Sequence, residues 1–213
     1  MRTDDLIGLL ASGAGAVESG AVARRFALAL GWGLLGAALL MAIFLGVRHD
    51  LGRVVFAPMF WIKLFWAGGL AWAALLLTAR LARPAGTPGG APRVLVLAVL
   101  AMWGLAAVTL WQSDAARRPA LFFGSTWSTC PLLIAMLSLP VLVAVLWALR
   151  GLAPTRPRAA GAAAGLLAGA AGATVYCLHC PELAAPFLGF WYLLGMLLPA
   201  LAGVLLGPRL LRW

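Results

Sequence analysis

Long apolar runs alternate with short polar connections along most of the chain. Six of these runs approach the length of about 20 residues that an α-helix needs to cross a bilayer. They are Phe26–Val47, Val55–Leu81, Val94–Trp111, Cys130–Leu149, Ala159–Leu178 and Pro186–Leu206. Backbone polar groups in lipid must be satisfied within their own segment, so each run is predicted to be a helix. The pattern therefore predicts an all-α, polytopic membrane protein built as a bundle of six transmembrane helices.

The connections between the runs are too short and too rich in breakers to form a soluble domain. Ala82–Arg93 ("ARPAGTPGGAPR") and Ala153–Arg158 ("APTRPR") are dense in proline and glycine, which end helices. Gln112–Thr129 is the longest connection between spans. The chain thus divides into an N-terminal segment, residues 1–25, and a transmembrane domain, residues 26–213.

Composition supports this assignment and changes the meaning of the charge. The chain is 64% hydrophobic and 10% charged, whereas a soluble domain is roughly half apolar and a quarter charged. Its net charge of +10 would suggest nucleic acid in a soluble protein. Here the arginines lie between apolar runs, where they orient a membrane protein, so we predict a lipid bilayer as partner and no direct contact with nucleic acid.

The distribution of arginines predicts the orientation. With a cytoplasmic N-terminus, the inner segments hold Arg2, Arg24, Arg25, Arg80, Arg83, Arg93, Arg150, Arg156, Arg158, Arg209 and Arg212. The outer segments hold only Arg48, Arg53, Arg117 and Arg118. The positive-inside rule then favours both termini in the cytoplasm. All three cysteines fall on the opposite side, which in a bacterial inner membrane is the oxidising periplasm.

Two of the three cysteines, Cys130 and Cys180, directly precede a proline at the outer end of a predicted span. Either residue could be a small buried hydrophobe. Because both lie at a periplasmic interface, a reversible disulfide or a soft-metal site is the functional interpretation.

Cys177 and Cys180 also form a CxxC motif, which is typical of redox-active pairs. At a helix end, Cys177 is expected to point into the bundle and Cys180 towards solvent. This motif carries the alternative function, a membrane thiol oxidoreductase that works with a quinone. His179 is either a metal ligand together with Cys130 and Cys180, with Glu182 nearby, or an interfacial residue that makes one hydrogen bond.

Lys63 is a charged residue inside the second predicted span. Such a residue is costly in lipid and by default suggests function. Its role is either structural or functional, and a buried partner would be a carboxylate such as Glu182 or Asp114. A transporter, the remaining alternative, would need more polar groups near the midplane than Lys63 alone.

The N-terminal segment predicts a short amphipathic helix. Thr3 can cap it, and Asp4 and Asp5 suit its first turn. An apolar face would be formed by Leu6, Leu9, Leu10 and Gly13. Such a helix lies on a membrane or docks into a partner's groove. The acidic start disfavours anionic lipid, so a protein partner is favoured.

Glycines recur at every fourth position in the last two spans. The fifth span carries Gly161, Gly165 and Gly169, and the sixth carries Gly203 and Gly207. Small residues at this spacing allow helix backbones to approach closely. We therefore predict tight packing of these helices, either within one chain or between chains.

Five stretches are longer and more specific than a generic hydrophobic match. They are "TDDLIGLLA", "ARR", "CPLLIAMLSLP", "CLHCPE" and "PFLGFWYLLGMLLPALAGVLLGPRLLRW". In these stretches the chain resembles, essentially from end to end, the NrsF family (negative regulator of sigma F) of bacterial membrane anti-sigma factors. The resemblance implies an inner-membrane protein that holds an extracytoplasmic-function sigma factor of the sigma F type inactive and releases it under stress.

The resemblance also implies roles for individual residues. The family's sensor cysteines, which respond to oxidants or heavy metals, fall on Cys130 and Cys180, while Cys177 lies outside the family pattern. No resident cofactor is implied, and a soft metal ion at the two cysteines would act as a signal. The sigma-binding role falls on the N-terminal segment, with the expected contacts Asp4, Asp5, Leu6, Leu9 and Leu10.

Overall fold

The computed structural model describes residues 3–13 and 20–212, and these residues form helices and loops without a strand. A short helix comes first, and the helices that follow build six spans. The helices are α1 (Thr3–Gly13), α2 (Ala21–Leu40), α3 (Leu51–Val54), α4 (Pro58–Leu81), α5 (Ala91–Gln112), α6 (Arg118–Phe123), α7 (Cys130–Arg150), α8 (Pro157–Tyr176), α9 (Ala185–Phe187) and α10 (Leu193–Leu210). Two π-helical turns, Met41–Leu45 and Leu188–Tyr192, extend α2 and join α9 to α10.

Six of the resulting segments are long and apolar enough to cross a membrane, as the sequence predicts. They are Ala21–Leu45, Pro58–Leu81, Ala91–Gln112, Cys130–Arg150, Pro157–Tyr176 and Ala185–Leu210. The first span begins five residues earlier than predicted, because Arg24 and Arg25 belong to the first turns of α2. The predicted boundary at residue 25 therefore falls inside a helix.

Proline marks the start of most spans. α4 and α8 begin with proline, and α5 and α7 carry it at their second residue. The first helical N–H groups have no partner within the helix, so a residue without an N–H is tolerated there. Proline in the local sequence therefore marks where each of these loops ends and the helix begins.

The alternation of the six spans gives the bundle two chemically different ends. One, the arginine end, collects the start of the first span, the loop between α4 and α5, the loop between α7 and α8, and the last turn of α10; it is rich in arginine. The other, the cysteine end, collects the start of α7 and the end of α8. Which end faces the cytoplasm stays a prediction from the arginine count.

Helix α8 is the most enclosed span and lies against α10, α4 and α7. A methyl group added at Gly161 would overlap Gly203 O, and one added at Gly165 would overlap Pro199 O, so the backbones of α8 and α10 are in direct contact. The predicted tight packing is confirmed within one chain. Large apolar side chains such as Trp72, Val96 and Leu205 instead face outwards, as helices in lipid require.

Candidate functional site

The three cysteines converge at the cysteine end, and all three are free thiols without solvent exposure. Cys130 is the first residue of α7, and Cys177 and Cys180 follow the last turn of α8. The side chains of Cys130 and Cys180 lie close enough to interact directly. The two residues that the sequence singles out, about fifty positions apart, thus form a contact pair. The expectation that Cys180 faces solvent is wrong, because the loops of the cysteine end enclose it.

The two Cys-Pro steps explain how the pair is positioned. Pro131 occupies the second helical position, and the Cys130 N–H donates to Thr126 O at 2.9 Å in the preceding turn. After α8, the Cys180 N–H donates to Tyr176 O at 3.0 Å, which folds the chain over the helix end. A residue before proline is biased away from the α-helical region. Pro131 therefore helps to start α7 at Cys130, and Pro181 prevents the chain after α8 from continuing as a helix beyond Cys180.

Cys177 has a different environment from the pair. Its Sγ donates to Ala173 O at 3.2 Å, one turn earlier in the same helix. Burial raises the pKa of Cys177 to about 11, which favours the unreactive thiol. For Cys180, the hydrogen bond from Cys130 is the largest cause that lowers the pKa below its ordinary value, and the nearby charge of Lys63 adds to it. The two thiols of the CxxC motif are therefore chemically unequal, and the environment of Cys180 favours the thiolate more than that of Cys177 does.

The chain's two tyrosines flank the thiols, a feature that the cysteine pattern alone does not reveal. Tyr176 interacts with Cys130 and Cys180, and its ring lies 5.7 Å from that of Tyr192. Tyr192 ends the π-helical turn Leu188–Tyr192. Its hydroxyl is buried beside the thiols, and no group in the described ranges meets it in hydrogen-bond geometry. The scarcity of tyrosine, two in 213 residues, was the available sequence signal.

Lys63 is fully buried and reaches this cluster from α4. Its ammonium donates to Cys180 O at 3.1 Å and Glu182 O at 3.0 Å, and lies 4.8 Å from the centre of the Tyr192 ring. The expected carboxylate partner is not what the structure shows. Lys63 meets Glu182 through the backbone carbonyl, and Asp114 is absent from its hydrogen bonds.

The Glu182 carboxylate instead closes the site from another direction. One oxygen accepts from the Ser125 N–H and the Ser125 hydroxyl, both at 2.7 Å. It packs against Gly124, where an added Cβ would lie 2.6 Å from Glu182 Cδ, and where the φ of 56° is a conformation that favours glycine. Glu182 therefore ties the segment after Cys180 to the loop that leads into Cys130.

The loop after the first span covers the remaining side. The Arg48 guanidinium donates to Cys180 O at 3.1 Å and pairs with Asp50 at 2.7 Å. This pairing raises the pKa of Arg48 and lowers that of Asp50, the mutual hydrogen bond being the largest cause of each shift. His179 Nδ1 lies 3.0 Å from Gly46 O, so in this structure the ring makes a hydrogen bond to the backbone.

The predicted partner-binding residues lie on α1, which precedes the first span at the arginine end. Asp4, Asp5, Leu6 and Leu9 are exposed, with Leu9 at 64%. The side chain of Leu10 lies outside the described residues. α1 thus presents leucines that the bundle does not cover.

The fold and the thiol cluster define a polytopic membrane protein with a buried cysteine site at one end and an exposed short helix at the other. The family model for the negative regulator of sigma F (NrsF) matches residues 10–213, and the chain belongs to this family. It is 59% identical over 213 residues to the probable anti-sigma-F factor NrsF of Azospira oryzae, with full coverage of both chains. It is 44% identical over 216 residues to the anti-sigma-F factor NrsF of Caulobacter vibrioides, again with full coverage of both.

These relatives bear the names of regulators, so the chain is a regulatory protein and not an enzyme, as the sequence predicts. The membership argues against the alternative of a thiol oxidoreductase. No solved structure matches the chain.

Proposed function

We propose that this protein is an inner-membrane anti-sigma factor that binds an extracytoplasmic-function sigma factor through α1 and releases it when Cys130 and Cys180 are oxidised. The observation that carries the proposal is the convergence of these two buried, free thiols, whose side chains interact directly. Family membership supports a sigma factor as the regulated partner, because both relatives are named anti-sigma-F factors. The exposed leucines of α1 supply a surface suited to a helix-in-groove contact.

The chemistry of the signal follows from the unequal thiols. With a peroxide as oxidant, the Cys180 thiolate attacks one oxygen, the O–O bond breaks, and hydroxide leaves Cys180 as a sulfenic acid. Cys130 then loses its proton and attacks the Cys180 sulfur, the S–O bond breaks, and water leaves. Two thiols are oxidised to one disulfide, and one hydrogen peroxide is reduced to two waters. A small neutral oxidant suits this buried site.

Disulfide formation changes the distance between two helix ends. The sulfur atoms of a disulfide lie about 2 Å apart, which is shorter than any hydrogen-bonded thiol contact. Disulfide formation would therefore draw together the start of α7 and the segment that follows α8. Along its length α7 packs tightly on α2: added methyl groups would lie 2.8 Å from Val141 Cα at Gly33 and 2.9 Å from Pro140 Cβ at Gly36. Since α2 follows α1 in the chain, this contact gives the movement a route to the arginine end.

A soft metal ion that bridges the same sulfurs is the second candidate signal, because thiolates prefer such ions. Within the described ranges, no three His, Cys, Asp or Glu side chains cluster as a metal site. A disulfide is therefore the favoured signal, and reversal by a thiol reductant rather than by a chelator distinguishes it from a bound metal ion.

The test is induction of a sigma-dependent reporter by peroxide and by cadmium, with Cys130→Ser, Cys180→Ser and Cys177→Ser compared in membranes containing equal amounts of protein. We expect the first two substitutions to abolish the response and Cys177→Ser to retain it. Deletion of residues 3–13 should abolish co-purification of the sigma factor. Unchanged induction in both Cys130→Ser and Cys180→Ser would refute the sensor, and retained co-purification would refute the role of α1.

A further inference from the structure

Lys63 has an unusual environment for a buried cation. Its hydrogen bonds go to two backbone carbonyls, Cys180 O and Glu182 O, and its other neighbour is the face of the Tyr192 ring. Within the described part of the chain, no carboxylate forms an ion pair with it: the Glu182 carboxylate accepts from Ser125 instead. Burying a charge without a counter-charge is unfavourable. The site therefore holds a cation whose electrostatic balance is incomplete while its neighbours are neutral.

The thiol pair supplies the missing anion. The Lys63 ammonium hydrogen-bonds to the backbone carbonyl of Cys180, so it lies near the Cys180 sulfur. Helix α4, which carries Lys63, packs against α8, which Cys180 follows. Carbonyl dipoles and an aromatic face stabilise an ammonium only in part. A thiolate at Cys180 would balance its charge directly, and the Cys130 thiol is placed to donate to that thiolate.

We propose that Lys63 is the positioning residue of the thiol switch: it holds the backbone of Cys180 and Glu182 and supplies the positive charge that keeps Cys180 as the attacking thiolate. This inference rests on the proposed function, since it concerns the same disulfide. The proposed role of this intramembrane lysine is distinct from ion transport and from anchoring a helix in the membrane. The charge of Lys63 also acts on Cys177, but burial dominates there and keeps that thiol protonated.

The other charged and titratable groups around Cys180 belong to several elements. They are Cys130 on α7, Tyr176 at the end of α8, Cys177 directly after it, Tyr192 in the π-helical turn, Arg48 in the loop after the first span and Glu182 in the segment after Cys180. Arg48 is cationic too, but Asp50 neutralises it. Lys63 is therefore the cation in this set that lacks a carboxylate partner.

Oxidation then changes the charge balance as well as a distance. When the disulfide forms, the thiolate charge disappears, while the ammonium still faces the carbonyls of residues 180 and 182. The position of Lys63 that suits the reduced site no longer suits the oxidised one. This difference in interaction between the two states is what a switch needs.

The experiment measures the rate of Cys130–Cys180 disulfide formation in purified full-length protein in nanodiscs treated with hydrogen peroxide, by alkylation and mass shift, from pH 5 to 9. Lys63→Gln keeps a donor for the carbonyls but removes the charge, Lys63→Met removes both, and Lys63→Arg keeps the charge. Thr78→Val is the matched control, because Thr78 is equally buried in α4 but lies near its opposite end. Thermal unfolding of each variant is followed in parallel.

We expect Lys63→Gln to slow disulfide formation by up to about tenfold at the acid end of this pH range, where a pKa change of one unit alters the thiolate fraction most, and by less at pH 7. Its pH–rate profile should move to higher pH, Lys63→Arg should restore the wild-type profile, and Thr78→Val should leave the profile in place. A slower rate with an unmoved profile, or an unchanged rate, would overturn the role of Lys63. Failure of the wild-type protein to form the disulfide at all would overturn the proposed function instead. If Lys63→Met does not fold, Lys63→Gln and Lys63→Arg still decide between these outcomes.

Discussion

The backbone contact between α8 and α10 allows a sharp test of how the bundle is held together. A methyl group added at Gly165 would overlap Pro199 O and lie 2.6 Å from both Pro199 C and Ala200 Cα. These are backbone atoms, which cannot rotate away as a side chain can, so Gly165→Ala must push the helices apart. Overpacking of this kind costs about 1–3 kcal/mol, against a gain of about 0.5–1 kcal/mol from replacing glycine by alanine in a helix. The net expectation is destabilisation.

Gly104→Ala is the matched control, because a methyl group at Gly104 in α5 meets no atom within 4 Å. It keeps the gain in helix propensity without the overlap, so we expect it to be neutral or mildly stabilising. The measurement is reversible unfolding in mixed micelles of a mild detergent and SDS, followed by circular dichroism or tryptophan fluorescence. Equal midpoints for Gly165→Ala and Gly104→Ala would refute the inferred backbone contact. We further expect Gly165→Ala to release the sigma factor without oxidant, because α8 connects the thiol site to the rest of the bundle.

Three further predictions concern the site and the partner helix. Glu182→Ala removes both hydrogen bonds to Ser125, so the loop before α7 should exchange amide hydrogens faster around residue 125, as measured by hydrogen–deuterium exchange; unchanged protection there would contradict this closure. Cys130→Ala removes the hydrogen bond that most lowers the pKa of Cys180, so the pH midpoint for alkylation of Cys180 by a small neutral reagent should rise; an unmoved midpoint would show that Cys130 does not set it. Leu9→Ser on α1 should weaken sigma-factor binding, measured by titration with the purified factor, with little effect on unfolding because Leu9 is 64% exposed; full binding would exclude this face.

The sequence predicts most of the architecture because lipid makes the signal simple. Each span is a run of apolar residues bounded by proline, glycine or arginine, and the observed bounds differ from the predicted ones by at most five residues. The pairing of Cys130 with Cys180 was also accessible, since each precedes a proline at the same end of the bundle. These features depend on local chemistry and on the fact that successive spans cross the membrane in alternating directions.

What the sequence does not predict depends on three-dimensional packing. Tyr192 reaches the thiols because a π-helical turn places it there, and nothing in "FLGFWYLL" indicates that turn. The sequence predicts a carboxylate partner for Lys63, but after Cys180 the chain turns so that carbonyl oxygens face it. The sequence also predicts that Cys180 faces solvent because it follows a helix, whereas the loops carrying Arg48 and Ser125 cover it. In each case the decisive neighbour is remote in sequence.

For the proposed switch, the burial of all three thiols has a consequence for how a response to oxidant would end. A disulfide without solvent exposure is out of reach of protein reductants, which must place their own thiolate against one of its sulfur atoms. Small molecules could set such a switch more readily than cellular machinery could reset it. Repression would then return as newly synthesised protein dilutes the oxidised copies. The response would therefore outlast the exposure to oxidant and decline as the cells grow.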